Sequence, residues 1–212
     1  MIEKSIMRTF NMKIPVELSN DLEREYRIIT TNTRNAAWLM SDDVHFHNKK
    51  IQNYLNLVAE GLQNYDRLKD KVSNEYAIPE ASKRWGNVAL EWNLQFNTAV
   101  LTITEAGPVA ETIENAFSID DETASKLKDL AVRTDVYHQI ESYLAKSFEN
   151  TDNSTIREFT NIKNEADEEY DRLKTKISDE IVVPILNQKS ISSLVDWSIN
   201  FETKSGTIAI RK

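Results

Sequence analysis

The sequence predicts an α+β protein built from two tandem copies of one β-α-α-β-β module. Three observations predict it. The segment "YDRLKDKVSNEYAIP" at 65–79 returns as "YDRLKTKISDEIVVP" at 170–184, with nine of fifteen positions identical. The same offset of 105 aligns "WNLQFNTAVLTI" (92–103) with "WSINFETKSGTI" (197–208) without a gap. Only four Gly and four Pro occur in 212 residues, and scarce punctuation means long regular elements. The repeat sets modules at 1–105 and 106–212, joined near "EAGP" (105–108). Two copies are too few for a solenoid. The expected architecture is a fused pseudo-dimer, each module a long antiparallel helical hairpin with a small antiparallel sheet, arranged about a pseudo-twofold.

Each module opens with a strand. Ile6, Phe10, Met12 and Ile14 alternate with polar residues, as do Ile113, Phe117 and Ile119 in the second copy. Pro15 closes the first strand. A helix follows, with Ser19 or Asn20 as the expected cap and Asp21 and Glu23 in its first turn, where the dipole favours anions. Its apolar stripe is Leu22, Tyr26, Ile29, Ala36 and Met40. In copy two, Asp120 or Asp121 caps a stripe of Leu127, Leu130, Tyr137, Ile140 and Leu144.

After a polar connection comes a second helix, over 48–77 and 153–182. Ile51, Val58, Tyr65 and Val72 recur every seventh residue, and Ile156, Tyr170 and Ile177 echo them, with Lys163 interrupting the row. At ~1.5 Å per residue such a helix extends about 45 Å. Pro79 and Pro184 are expected to end it. The alternating residues Val88, Leu90, Trp92, Leu94 and Phe96, and Val195, Trp197, Ile199 and Phe201, then predict a strand, followed by a short one at "VLTIT" and "GTIAI". The turn "ETKSG" offers Gly206 for a bulged hairpin. Leu101 stands at that place in copy one, so the two turns are expected to differ. Open strand edges suggest that the two sheets merge.

Composition narrows the function. The net charge of −8 opposes a broad nucleic-acid face, which needs a cationic footprint. Copy one holds 13 basic and 14 acidic residues, copy two 13 and 20, so the acidity belongs to the second module. With no cysteine, disulfides, thiolate catalysis and cysteine-bound zinc are excluded. No apolar run is long enough to span a bilayer. The start "MIEKSIMRTF" lacks a signal peptide's apolar core, so the expected location is the cytoplasm. There is no glycine-rich phosphate loop, G-x-S-x-G, H-E-x-x-H or EF-hand loop, and no cofactor is expected.

Four features are candidates for chemistry. The repeated "YDRLK" puts Asp66, Arg67, Asp171 and Arg172 at two equivalent points, but its Tyr and Leu fall on the helix stripe. Its expected role is packing, as it is for Trp92 and Trp197 on an apolar strand face. "SDDVHFH" (41–47) carries His45 and His47 two residues apart, with Asp42 or Asp43 to complete a donor set able to ligate a metal. Copy two has Asn150 and Asp152 at the histidine positions. "EADEEYD" (165–171) gathers Glu165, Asp167, Glu168, Glu169 and Asp171 on an acidic helix, a docking surface for a basic partner. Glu165, Glu168, Glu169 or Asp171 would also suit magnesium, although copy one offers only Glu60 and Asp66 at the equivalent places.

The fourth feature is "NMKIPVELSNDLEREYRI" (11–28), which resembles the start of a ribbon–helix–helix DNA-binding domain. The resemblance implies a reading face of Thr9, Asn11 and Lys13. Copy two has Glu114, Ala116 and Ser118 there, and a thirty-residue second helix departs from that family. The reading these features support first is a non-enzymatic interaction protein that binds a macromolecular partner, a protein, through its hairpins and acidic second module. By analogy, proteins of this type occur as adaptors, inhibitors and phage or mobile-element accessory factors. A metal-dependent enzyme and a DNA-binding protein are the alternatives.

Overall fold

The computed structural model describes residues 8–108, 111–148, 151–191 and 194–210. The first module runs β1 (Thr9–Lys13), α1 (Val16–Ser41), α2 (Lys49–Val72), a π-helical turn (Ser73–Ala77), α3 (Ile78–Trp85), β2 (Val88–Gln95) and β3 (Val100–Pro108). The second runs β4 (Glu111–Ser118), α4 (Asp121–Ser147), α5 (Ser154–Ile177), a π turn (Ser178–Val182), α6 (Val183–Gln188), β5 (Leu194–Asn200) and β6 (Ser205–Ile210). Both α2 and α5, and both π turns, begin and end 105 positions apart. The duplication is therefore structural as well as sequential. Ile6 lies outside the described residues.

Each module carries its own three-stranded antiparallel sheet, in the order β1-β3-β2 and β4-β6-β5. The sheets do not merge as expected, because each module's last strand takes the centre of its own sheet and pairs on both sides. The compact units do not follow the repeat either. One comprises residues 1–28 and 61–109, the other 29–60 and 110–212, so the tip of the first hairpin counts with the second unit.

Two cores repeat position by position. Ile14, Leu22, Val72, Ala77 and Ile103 are buried in the first. Ile119, Leu127, Ile177, Val182 and Ile208, each 105 residues on, are buried in the second. On α1 the stripe of Leu22, Ile29, Ala36 and Met40 is buried as the spacing predicts, but Tyr26 is 49% exposed. It sits on the flank of the stripe rather than in it.

The prolines do not end the second helix. In each module the helical path passes through a π turn and continues into α3 or α6, with Pro79 and Pro184 in its first turn. The physical cause is steric. In an α-helix a proline ring clashes with the carbonyl four residues back and removes one hydrogen bond. A π turn widens the coil at that place. Ile78 N–H then donates to Ser73 O, and Val183 N–H to Ser178 O, each five residues back. The first path stops at Gly86, whose φ is 78°.

The start of α1 also differs from expectation. The helix begins at Val16, directly after Pro15. Ser19 is thus inside it, fully buried, and its hydroxyl donates to Phe96 O at 3.1 Å. In module two Asp120 is the cap, accepting from Thr123 N–H at 2.8 Å.

The hairpin turns differ in their hydrogen bonds, as expected: Thr98 and Ala99 N–H donate to the carbonyls of Gln95 and Phe96 in the first, while Glu202 and Thr203 N–H donate to Asn200 Oδ1 in the second. Ala99 (φ 51°) and Lys204 (φ 56°) take the same left-handed conformation at equivalent positions. Gly206 serves a different end. It pairs with Phe117 across β4 and β6, and a Cβ there would lie 2.0–2.4 Å from three Phe117 ring atoms. At the equivalent place in module one Met12 pairs with Leu101. A large residue over a glycine replaces two medium ones.

Candidate functional site

The repeated "YDRLK" resolves into a packing device. Lys69 Nζ lies 5.9 Å from the Tyr65 ring centroid, and Lys174 Nζ lies 5.7 Å from that of Tyr170. Tyr and Lys are four residues apart, one above the other on a helix face, so the ammonium rests over the ring. Asp66 reaches Lys69 at 3.9 Å. Asp66, Arg67, Asp171 and Arg172 are all exposed. The two tryptophans, both half-buried, have diverged. Trp92 Nε1–H donates to Ser73 Oγ at 2.9 Å, at the mouth of the π turn, while Trp197 lies under Lys174 at 5.2 Å.

The loop "SDDVHFH" lies against the start of α5, within the second compact unit. Asp43 (φ 57°) accepts from Ser154 Oγ at 2.8 Å and from Thr155 N–H at 3.1 Å. Those hydrogen bonds, the Ser154 hydroxyl's first, hold its carboxyl below the usual carboxylate range. Asn153, the cap of α5, accepts from Ile156 N–H, and its amide donates to Met40 O (2.7 Å) and Ser41 O (3.0 Å). Each segment thus satisfies the other's free helix-end groups. Phe46, 2% exposed, anchors the contact among Phe159 and Tyr137, at ring centroid distances of 5.9 and 6.4 Å.

His45 and His47 flank that anchor and turn toward Glu158, their Nε2 atoms 3.9 and 3.5 Å from its two carboxylate oxygens. The backbone N–H of His47 also donates to His45 Nδ1. The structure therefore brings the two histidines together with Glu158, and places Asp43 in a capping contact instead. Among the described residues no group of three or more His, Asp or Glu side chains is arranged to hold a metal ion. Asn153 was legible as a cap in "DNST". Glu158 carries no such signal, because its partners lie more than a hundred residues away.

The acidic stretch of α5 divides into two faces. Asp167 meets Lys163 and His138, each at 3.2 Å, and Glu169 meets Lys126 at 2.8 Å. Lys163 also reaches Glu141 at 3.0 Å and is only 12% exposed at its side chain. Burial opposes its charge, but the hydrogen bonds to Glu141 and Asp167 outweigh that and raise its pKa. The residue that breaks the apolar row is therefore inside the helix–helix contact, its ammonium shared by two carboxylates. Glu165, Glu168 and Asp171 point outward and are exposed.

On β1, Thr9, Asn11 and Lys13 are exposed while Phe10 and Met12 face the core side. Thr9 Oγ1 lies 3.3 Å from Thr104 Oγ1 on the neighbouring strand, so the strand is committed to its own sheet on one side. No described helix is long and apolar enough to cross a membrane. No family model, curated protein or solved structure matches the chain.

Proposed function

We propose that this is a non-enzymatic interaction protein that binds a basic protein partner through the outer face of α5. What supports the reading is the division of the acidic row. Asp167 is paired with Lys163 and Glu169 with Lys126, both in the same unit. Glu165, Glu168 and Asp171, spaced by three, face solvent with no ion pair among the described residues. Neighbouring like charges on one helix face cost stability by themselves, and a cationic partner offsets that cost. Module one keeps carboxylates at two of the same positions, Glu60 and Asp66, with Gln63 between them and Asp66 paired to Lys69, so the complete unpaired row belongs to module two. The test is capture of a stoichiometric partner from the native host. The variant Glu165→Gln/Glu168→Gln/Asp171→Gln is expected to lose that partner while keeping its helical circular dichroism. Retention of the partner by the variant would refute the reading.

A second reading, DNA binding through Thr9, Asn11 and Lys13, draws on the exposure of that strand face. A mobility shift at two salt concentrations tests it. It fails if no complex forms at low salt.

A further inference from the structure

Module one carries a groove that neither reading uses. Tyr26, Tyr65, Trp92 and Phe96 wall it, and Lys69 and Asn93 reach its rim. Its volume is about 220 Å³. The rings are splayed rather than stacked, with Tyr26 tilted 44° to Tyr65 and 37° to Phe96 at centroid distances of 6.3 and 6.0 Å. Trp92 is held from behind by its bond to Ser73, so its indole is fixed. Tyr26 is the one large residue of the α1 stripe that stays half in solvent.

The second module offers the comparison. It keeps Tyr170, Lys174, Trp197 and Phe201 at the equivalent places, but Ala131 replaces Tyr26 and Ser198 replaces Asn93. There Lys174 lies over both Tyr170 and Trp197, across the space between them. In module one Lys69 lies over Tyr65, and its ammonium stands at the groove's edge. The elements shared by both copies are packing. Tyr26 and Asn93 are what module one adds.

We propose that this groove binds a small planar aromatic ring carrying an anionic group, the ring laid against Trp92 beside the Tyr26–Phe96 pair and the anion on Lys69. The room is right for it, because a cavity of about 150 Å³ accepts benzene and the remainder takes one small substituent. Splayed aromatic walls receive a ring edge-to-face or offset. Lys69 supplies the charge complement and Asn93 a neutral hydrogen-bonding amide. Asp66, 3.9 Å from Lys69, competes with the ligand for the ammonium and limits affinity.

The test follows the Trp92 indole N–H resonance of the full chain, assigned with Trp92→Phe, during titration with phenyl phosphate, phenol and inorganic phosphate. Phenyl phosphate is expected to move it saturably, phenol to bind about tenfold more weakly, and phosphate to leave it unmoved. Lys69→Gln should weaken phenyl phosphate about tenfold and Tyr26→Ala should abolish binding. Asp66→Asn should tighten it about threefold. Lys69 and Asp66 are exposed, so those variants keep the fold even if Tyr26→Ala does not. The proposal is overturned if phosphate alone gives the response, if phenol binds as well as phenyl phosphate, if Lys69→Gln is silent, or if nothing saturates at millimolar ligand.

Discussion

Met12 faces Leu101 in the first sheet, and Phe117 faces Gly206 in the second. The two pairs hold the same place in their sheets, and Ala99 and Lys204 in the preceding turns both have positive φ. The side chains share almost nothing: two medium residues fill the first pair, and one aromatic ring lies over a bare backbone in the second. Duplication preserved the pairing positions, not the residues that fill the space over them. The same lesson recurs on the second helix of each hairpin. Val58 is fully buried at a position where module two has Lys163, and there two carboxylates supply what the apolar contact supplies in module one. Phe46 is buried where module two has Thr151. The copies agree on backbone and diverge where one neighbour can compensate for another.

The largest expected effect falls on Phe46, whose ring no residue of module two duplicates. Phe46→Ala should cost about 4 kcal/mol in chemical denaturation. A loss below about 1 kcal/mol would mean that the loop is not anchored there. Next comes the glycine. Gly206→Leu should destabilise by about 3 kcal/mol, since a side chain would have to enter the Phe117 ring. Gly206→Leu/Phe117→Met, which installs the module-one pair, should recover most of that loss. Failure to recover would show that the pairs are not interchangeable.

A smaller effect is expected from Asn153→Ala, about 2 kcal/mol, because it removes a helix cap and two bonds to the carbonyls of α1. The smallest concerns pH. Asp43 has a lowered pKa in the fold. Its contribution is present above the unfolded value, about 3.9, and is lost as pH falls through the lower folded value. The difference in denaturation midpoint between the parent and Asp43→Asn should therefore shrink as pH drops from about 5 toward 2. A constant difference would remove the carboxylate from the contact.

Much of the fold was legible. The repeat located both modules, and period two named Ile14, the first helix's stripe Leu22, and the heptad row Ile51 and Val72 as core-facing. The misreadings share one cause, which is that local rules were applied where a neighbour decided the outcome. Proline is a helix stop only if the preceding turn stays α-helical, and here it widens. Ser19 is a good cap by type, but Phe96 O takes its hydroxyl. Gly206 suits a turn by type, but Phe117 needs its missing Cβ. For the candidate sites, the residue types were visible and their partners were not. His45 and His47 point toward Glu158, Asp167 to His138 and Glu169 to Lys126 on α4, across separations that no local pattern encodes.

The sequence by itself determined the duplication, the order of elements and the two apolar cores, because periodicity and repetition are properties of the chain alone. Only the tertiary structure decided which carboxylates of α5 face solvent, which capping groups serve a distant helix, and that Tyr26 opens a groove instead of closing the stripe. Those outcomes depend on which surfaces meet after folding. Burial and pairing there are set by residues far apart in the chain, whose approach is worth its conformational cost only in the folded state.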